Sequence, residues 1–329
     1  MRRREVIAGL GSAAIAWPLA AAHAQQPTMP VIGFLGSTSP DQYAIRLEAF
    51  RQGLKEAGYV DGRNVVIEYR WAEGQYERLP GLAAALVQRR VAVIAAGGGT
   101  PSTLAAKAAT STIPIVFATS IDPVQAGLVA SLNQPGGNLT GVANLGTEVG
   151  PKRLEVLREL LPMATTIAVL VNPASPTLAE QFMKDLQPTA STLGMHLHVV
   201  EASADRDFDT VFATLVQLRA DALVIAPDNF FNSQGEQLAA RALHHALPAL
   251  QAARPFVAAG GLLSYGTNET EYYRLFGIQV GKILNGEKPA DLPVQQSTKV
   301  ELIINLKTAK ALGISVPLAL SVRADEVIE

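Results

Sequence analysis

Short apolar runs alternate along this chain with stretches whose apolar residues recur every three or four positions. Val31-Ile32-Gly33-Phe34-Leu35, Val91-Ala92-Val93-Ile94-Ala95 and Pro114-Ile115-Val116-Phe117 are runs without polar alternation, and a fourth covers 139–142. Residues 64–69 alternate as a half-exposed strand does. Between the runs, Leu47, Phe50, Leu54 and Ala57 keep the spacing of a core-facing helix that Gly58 stops. Further helices are predicted over 75–89, 100–109 and 123–132. Apolar strands divided by helices form a parallel sheet covered on both faces, because only burial on both sides removes the need for alternation.

The rhythm then starts again. Helices are predicted over 152–161, 178–193, 208–218 and 234–246, and strands over 166–171, 195–200, 222–226 and 255–257. Beyond the Gly260-Gly261 break come a helix over 272–284, an extended segment 289–296, a strand 301–305 and a helix 306–312. The halves share a rhythm without a sequence repeat. The pattern predicts an α/β protein of two doubly wound lobes, joined near 141–150, with an ending long enough to cross back between them.

The first 24 residues break the pattern. Arg2, Arg3, Arg4 and Glu5 precede an apolar run over 6–19, and Ala22-His23-Ala24 offers a small-residue cleavage site before Gln25. That order predicts a cleavable signal peptide, too short and too rich in Gly and Ala to span a bilayer permanently. Arg3-Arg4-Glu5-Val6-Ile7 also fits the twin-arginine export pattern. The remainder of the 329 residues suffices for two α/β domains with cores of their own. With 27 basic and 29 acidic residues there is no basic excess, which argues against nucleic acid or an anionic membrane surface as partner. The chain has no cysteine, which excludes disulfides, thiolate catalysis, Cys-ligated metals and an acylated anchor. A soluble, unanchored periplasmic protein is expected.

Ligands of open parallel sheets sit beyond the carboxyl ends of the strands. The loops there are Gly36-Ser37-Thr38-Ser39, residues 97–102, Thr119-Ser120-Ile121-Asp122-Pro123 and the stretch at Asn144. Their counterparts in the second half are Asn172-Pro173, Pro227-Asp228-Asn229-Phe230-Phe231, Gly260-Gly261 and Tyr265-Gly266. In Gly97-Gly98-Gly99-Thr100-Pro101-Ser102 the glycines permit close backbone approach, Thr100 suits an N-cap and Pro101 a first helical position. Free N–H groups and the helix dipole there make a seat for a carboxylate, although a plain strand-to-helix turn has the same sequence. Asp122 and Asp228 suit helix capping or pairing with a ligand ammonium. No G-x-G-x-x-G, G-x-x-x-x-G-K-[ST] or G-x-S-x-G occurs, so no cofactor is called for. His196 and His198 share a strand face without a placed third ligand, and His244-His245 diverge on a helix. Asn138-Leu139-Thr140 and Asn268-Glu269-Thr270 are glycosylation triplets of little meaning behind a bacterial-type export signal. No nucleophile–base–acid set presents itself, and no enzyme is expected.

One stretch carries a family resemblance. Asp122-Pro123-Val124, Gly127-Leu128-Val129 and Pro135-Gly136-Gly137-Asn138-Leu139-Thr140-Gly141 closely resemble the substrate-binding proteins of one ABC-transporter family. The ending Ile304-Asn305-Leu306-Lys307-Thr308-Ala309-Lys310 and Ala324-Asp325-Glu326-Val327-Ile328 are similar as well. The resemblance implies the type I periplasmic-binding fold: two lobes, 28–143 plus 267–297 and 144–266 plus 298–329, joined by a three-segment hinge. Relatives include aromatic amino-acid binders. Carried over by position, the ligand-binding residues would be Ser37, Thr38, Gly98, Thr100, Pro101, Ser102, Thr119, Asp122, Asn144, Asp228 and Asn229. The implied function is capture of a small polar or amino-acid-like solute in the interlobe cleft, delivered to the membrane permease of an ABC importer. Thr100, Ser102 and the Gly98 backbone would hold a carboxylate, and Asp122 or Asp228 a cationic group. A periplasmic sensor input to a receptor kinase, or an enzyme on the same scaffold, are the alternatives. Many relatives carry a lipid-modified cysteine at the cleavage site, which this chain lacks.

Overall fold

A computed structural model describes residues 29–144 and 146–329; the leader read at 1–24 lies outside the described residues. Strands β1 (Val31–Gly36), β2 (Val66–Trp71), β3 (Val93–Ala96), β4 (Ile115–Thr119) and β5 (Leu139–Asn144) alternate with helices α1 (Ala44–Glu56), α2 (Leu79–Gln88) and α3 (Thr100–Ala109). Next come α4 (Gly150–Leu160), β6 (Thr166–Val171), α5 (Pro176–Thr192), β7 (His196–Glu201), α6 (Phe208–Leu218) and β8 (Ala222–Ile225). They are followed by α7 (Asn229–Ser233), α8 (Gly235–His244), β9 (Ala249–Gln251), α9 (Arg254–Ala258) and β10 (Leu263–Thr267). The chain closes with α10 (Glu269–Leu284), β11 (Gln295–Ser297), β12 (Val300–Asn305), α11 (Leu306–Ala311), α12 (Leu318–Arg323) and β13 (Glu326–Ile328).

These strands form two sheets, ordered β11-β5-β4-β3-β1-β2 and β13-β12-β10-β9-β8-β6-β7. Every pairing in the first is parallel. In the second only the β10–β12 pairing is antiparallel, so β12 and β13 run against the other five strands. The runs that lack polar alternation are the central strands, and β3, β4 and β8 are buried at every residue. Edge strands β2 and β7 are half-exposed along most of their length and carry charged or polar residues among the apolar ones. In each sheet the strand order reverses once, between β1 and β3 and between β6 and β8. Adjacent loops there lead to opposite faces and leave a crevice at the carboxyl ends of the strands.

The chain passes from one sheet to the other three times: between β5 and α4, between β10 and α10, and between β11 and β12. Arg153, fully buried on α4, ties the first of these passages to β10. Its Nε donates to Tyr265 O at 2.8 Å and its Nη2 to Gly146 O at 3.2 Å. Burial pushes its pKa down to about 10.

Two stretches differ from expectation. Residues 123–132 are turns rather than a helix: Gly127 takes a left-handed φ of 64°, and Leu128 N turns back to donate to Pro123 O at 2.8 Å, ending the coil after one turn. Residues 255–257 lie in α9, with Pro255 in its first turn, and the strands fall on either side as β9 and β10. A three-residue apolar run does not distinguish strand from helix by period.

Helix α10 returns to the first sheet and lies against α1. The approach is close because both surfaces carry glycine: a Cβ on Gly53 would stand 1.9 Å from Arg274 O, and one on Gly277 2.1 Å from Phe50 O. Gly277→Val is therefore expected to lower stability by about 3 kcal/mol through overpacking, read as a fall in the urea midpoint with the slope unchanged.

Candidate functional site

The two crevices face each other. From the first sheet come the loops after β1 and β3, and from the second those after β6 and β8. The residues expected from sequence fall into four groups there.

Ser37, Thr38, Gly98 and Ser102 form a tight cluster. A Cβ on Gly98 would stand 2.0 Å from Ser102 Oγ and 2.5 Å from Ser37 N, so only glycine allows the two loops to meet. The hydroxyls of Ser37, Thr38 and Ser102 are buried with no hydrogen-bond partner among the described residues. They surround the start of α3, where Gly99 precedes Thr100 and Pro101 occupies the first turn without a side-chain cap. Thr100 Oγ1 and Thr119 Oγ1 bond each other at 2.9 Å. Asn144 and Asn229 line a narrow interlobe space.

The acids behave differently. Asp122 Oδ1 accepts from Val124 N at 2.8 Å and Gln125 N at 3.1 Å, and its Oδ2 from Gln125 Nε2 at 3.1 Å. That is the capping role. Asp228, 1 % exposed, accepts from Asn172 Nδ2 at 3.0 Å, Phe230 N at 3.0 Å and, across the cleft, Tyr76 Oη at 2.9 Å. Burial raises its pKa, against the opposing pull of those donors. Burial, reinforced by the Asp228 charge, likewise holds the Tyr76 hydroxyl well above its ordinary value. Both carboxylates are committed to donors of the protein itself, and neither lines the interlobe space.

Side chains that sequence reasoning did not single out complete the site. Tyr76 Oη also accepts from Phe230 N at 3.1 Å, and Asn229 Nδ2 donates to Tyr43 Oη at 2.9 Å, giving further bonds across the lobes. Tyr43 and Tyr273 both donate to Gly97 O at 3.0 Å, and Tyr272 donates to Thr119 O at 3.1 Å. Arg46 on α1 meets Glu269 at the start of α10 in two bonds, Nη2 to Oε1 at 2.7 Å and Nε to Oε2 at 3.2 Å. Burial works to lower the Arg46 pKa, and Glu269 outweighs it, so the guanidinium stays protonated more firmly than usual. Asn232 of the second lobe reaches Glu269 Oε1 from the far side at 3.4 Å. The narrow space lined by Asn144, Asn229, Asn232 and Glu269, and bounded also by Ser120, Thr267, Tyr272 and Tyr273, measures about 30 Å³, room for one or two waters.

The interlobe latch makes two testable statements. Tyr76→Phe leaves Asp228 and Phe230 N each short of a buried partner; the expected cost is about 1–3 kcal/mol, seen as a lower melting temperature and a larger radius of gyration in solution scattering. Because the folded pKa of Asp228 lies above the unfolded one, its stabilising contribution is complete below about pH 4 and is lost as pH rises through the folded value. Asp228→Asn, which keeps an acceptor at this position, should remove that slope from urea-unfolding stability measured across mildly acidic to neutral pH.

Comparison with known proteins bears on this geometry. The model of the family described as ABC transporter substrate binding protein matches residues 31–328. A tyrosine-binding protein of Clostridioides difficile (strain R20291) is 30% identical over 270 residues, covering 80% of this chain and 75% of the relative. The crystal structure of an ABC domain from Streptococcus pneumoniae in complex with L-Trp superposes with a TM-score of 0.83 at 25% identity, covering 91% of this chain and 99% of that one. A ligand-free, open substrate-binding protein with adhesive properties from Clostridium difficile, 27% identical with the same coverage of 91% and 99%, superposes at 0.62. The two facing sheets have the type I periplasmic-binding fold, and the chain belongs to the ABC transporter substrate-binding protein family.

Proposed function

We propose that this protein is an exported receptor of an ABC importer that captures an amino acid with an aromatic side chain between its lobes, 28–143 plus 267–297 and 144–266 plus 298–329. The observation that carries the reading is the facing pair of crevices, bridged by Tyr76–Asp228 and Asn229–Tyr43 over a polar space. The relatives named for tyrosine and crystallised with L-Trp supply the ligand class. The fold sits nearer the L-Trp complex than the open protein at similar identity, which supports a closed arrangement here. Ligand sites for molecules of this size run from about 300 Å³ upward, so entry into a space of about 30 Å³ requires the lobes to part. A ligand that contacts both lobes then favours the closed population.

In this reading the ligand carboxylate sits at the start of α3, where the Gly98 backbone, Thr100 and the unpaired Ser37, Thr38 and Ser102 hydroxyls meet the positive end of the helix dipole. The leader at 1–24 directs export through the twin-arginine route to the periplasm, where the closed form meets a permease. The family and its characterised relative are binding proteins, which supports a role without catalysis. No helix among the described residues is long and apolar enough to cross a membrane.

Calorimetric titration of the mature protein against the common amino acids tests the assignment. Tyrosine or tryptophan should bind and reduce the radius of gyration, and Thr100→Val should weaken that binding about tenfold through loss of one hydrogen bond to a charged group. Binding of no amino acid, with an unchanged scattering profile, would refute it.

A further inference from the structure

Capture of an amino acid, on which this inference rests, requires acceptors for its ammonium as well as donors for its carboxylate. Several acids border spaces between the lobes, among them Glu73, Asp205 and Glu301 beside those already described. Asp122 caps its own turn and Asp228 serves the latch, and among the described residues Glu269 is the carboxylate that lines the narrow space beside Asn144 and Asn229. Arg46 takes one bond from each of its oxygens, and Asn232 Nδ2 takes a second from Oε1, so Oε2 keeps a free lone pair. Two more oxygens border the same space. Asn232 Oδ1 and Thr267 Oγ1 are buried with no partner among the described residues. Left so, each carries the full desolvation penalty of a buried acceptor.

We infer that Glu269, Asn232 and Thr267 form the ammonium site and make the receptor selective for α-amino acids over their des-amino counterparts. An ammonium carries three N–H donors, and three residues with spare acceptor oxygens line this one space. Glu269, Tyr272 and Tyr273 follow the i, i+3, i+4 spacing of one helix face, so the aromatic walls stand beside the carboxylate, where their ring faces favour a cation. The pinned hydroxyls of both tyrosines hold those rings in place. Charge balance gives the selectivity. Arg46 already neutralises Glu269, so a zwitterion enters without adding net charge, whereas a des-amino acid brings an anion and leaves three acceptors dry.

The test compares L-tryptophan with indole-3-propionate, and L-tyrosine with 3-(4-hydroxyphenyl)propionate, by calorimetric titration. Wild-type protein should prefer the amino acid by about 100-fold, the effect of losing charged hydrogen bonds at a buried site. Glu269→Gln should reduce the preference to a few-fold by weakening the amino acid and sparing its counterpart. Asn232→Leu, which leaves the Arg46–Glu269 pair untouched, should cost the amino acid about tenfold and the des-amino acid nothing. A Glu269→Gln protein that melts like wild type and retains the full preference overturns this inference alone, as does an Asn232→Leu protein that weakens both ligands equally. A wild-type protein that binds neither amino acid removes the receptor reading and this site with it.

Discussion

The structure depends on one constraint: a parallel sheet ends in a row of loops whose polar groups are only partly satisfied within their own lobe. At the two reversal points these loops carry Ser37, Thr38 and Ser102 on one side and Asn172, Asp228 and Asn229 on the other. Unsatisfied buried polar groups are expensive, so each crevice must find water, a guest or the opposite crevice. The protein divides the work. Asp228 and Tyr76 satisfy one another across the gap, as do Asn229 and Tyr43, while the hydroxyls beside Gly98 remain unmatched among the described residues. A site that satisfied all of its own groups would have nothing left with which to recognise a solute.

The apolar core reinforces the arrangement. One buried cluster runs from Ala72, Tyr76 and Leu79 of the first lobe into Phe208, Phe230 and Phe231 of the second. Tyr76 thus presents an apolar ring to the cluster and its hydroxyl to Asp228. Parting the lobes exposes part of this surface. The free energy of ligand contacts must be weighed against whatever the latch already supplies, and the apparent affinity scales with the fraction of molecules in the competent state.

Much of this was legible in the chain. The central strands were readable because burial on both faces strips them of polar alternation, and the helices on β-facing surfaces because their apolar spacing is long and regular. The stretch 123–132 misled because Gly127 decides its path through one backbone angle. The loops at Ser37, Gly98, Asp228 and Asn229 were readable as strand ends, but the partners they would meet were not. Glu269 was passed over inside a glycosylation triplet; Asn268 is in fact the N-cap of α10, its Oδ1 accepting from Glu271 N at 2.8 Å. Thr267 and Glu269 stand two residues apart, but Asn232 is 37 positions from Glu269 and meets it only when α10 returns to the first sheet against the second lobe.

Arg153 gives the passages between the lobes an unusual character. A guanidinium buried with no carboxylate partner among the described residues is bound instead to the carbonyls of Gly146, in the segment that leaves the first sheet, and Tyr265, inside β10 of the second. One side chain thus ties the peptide that leaves the first sheet to a strand of the second, and a change at this spot reaches both at once.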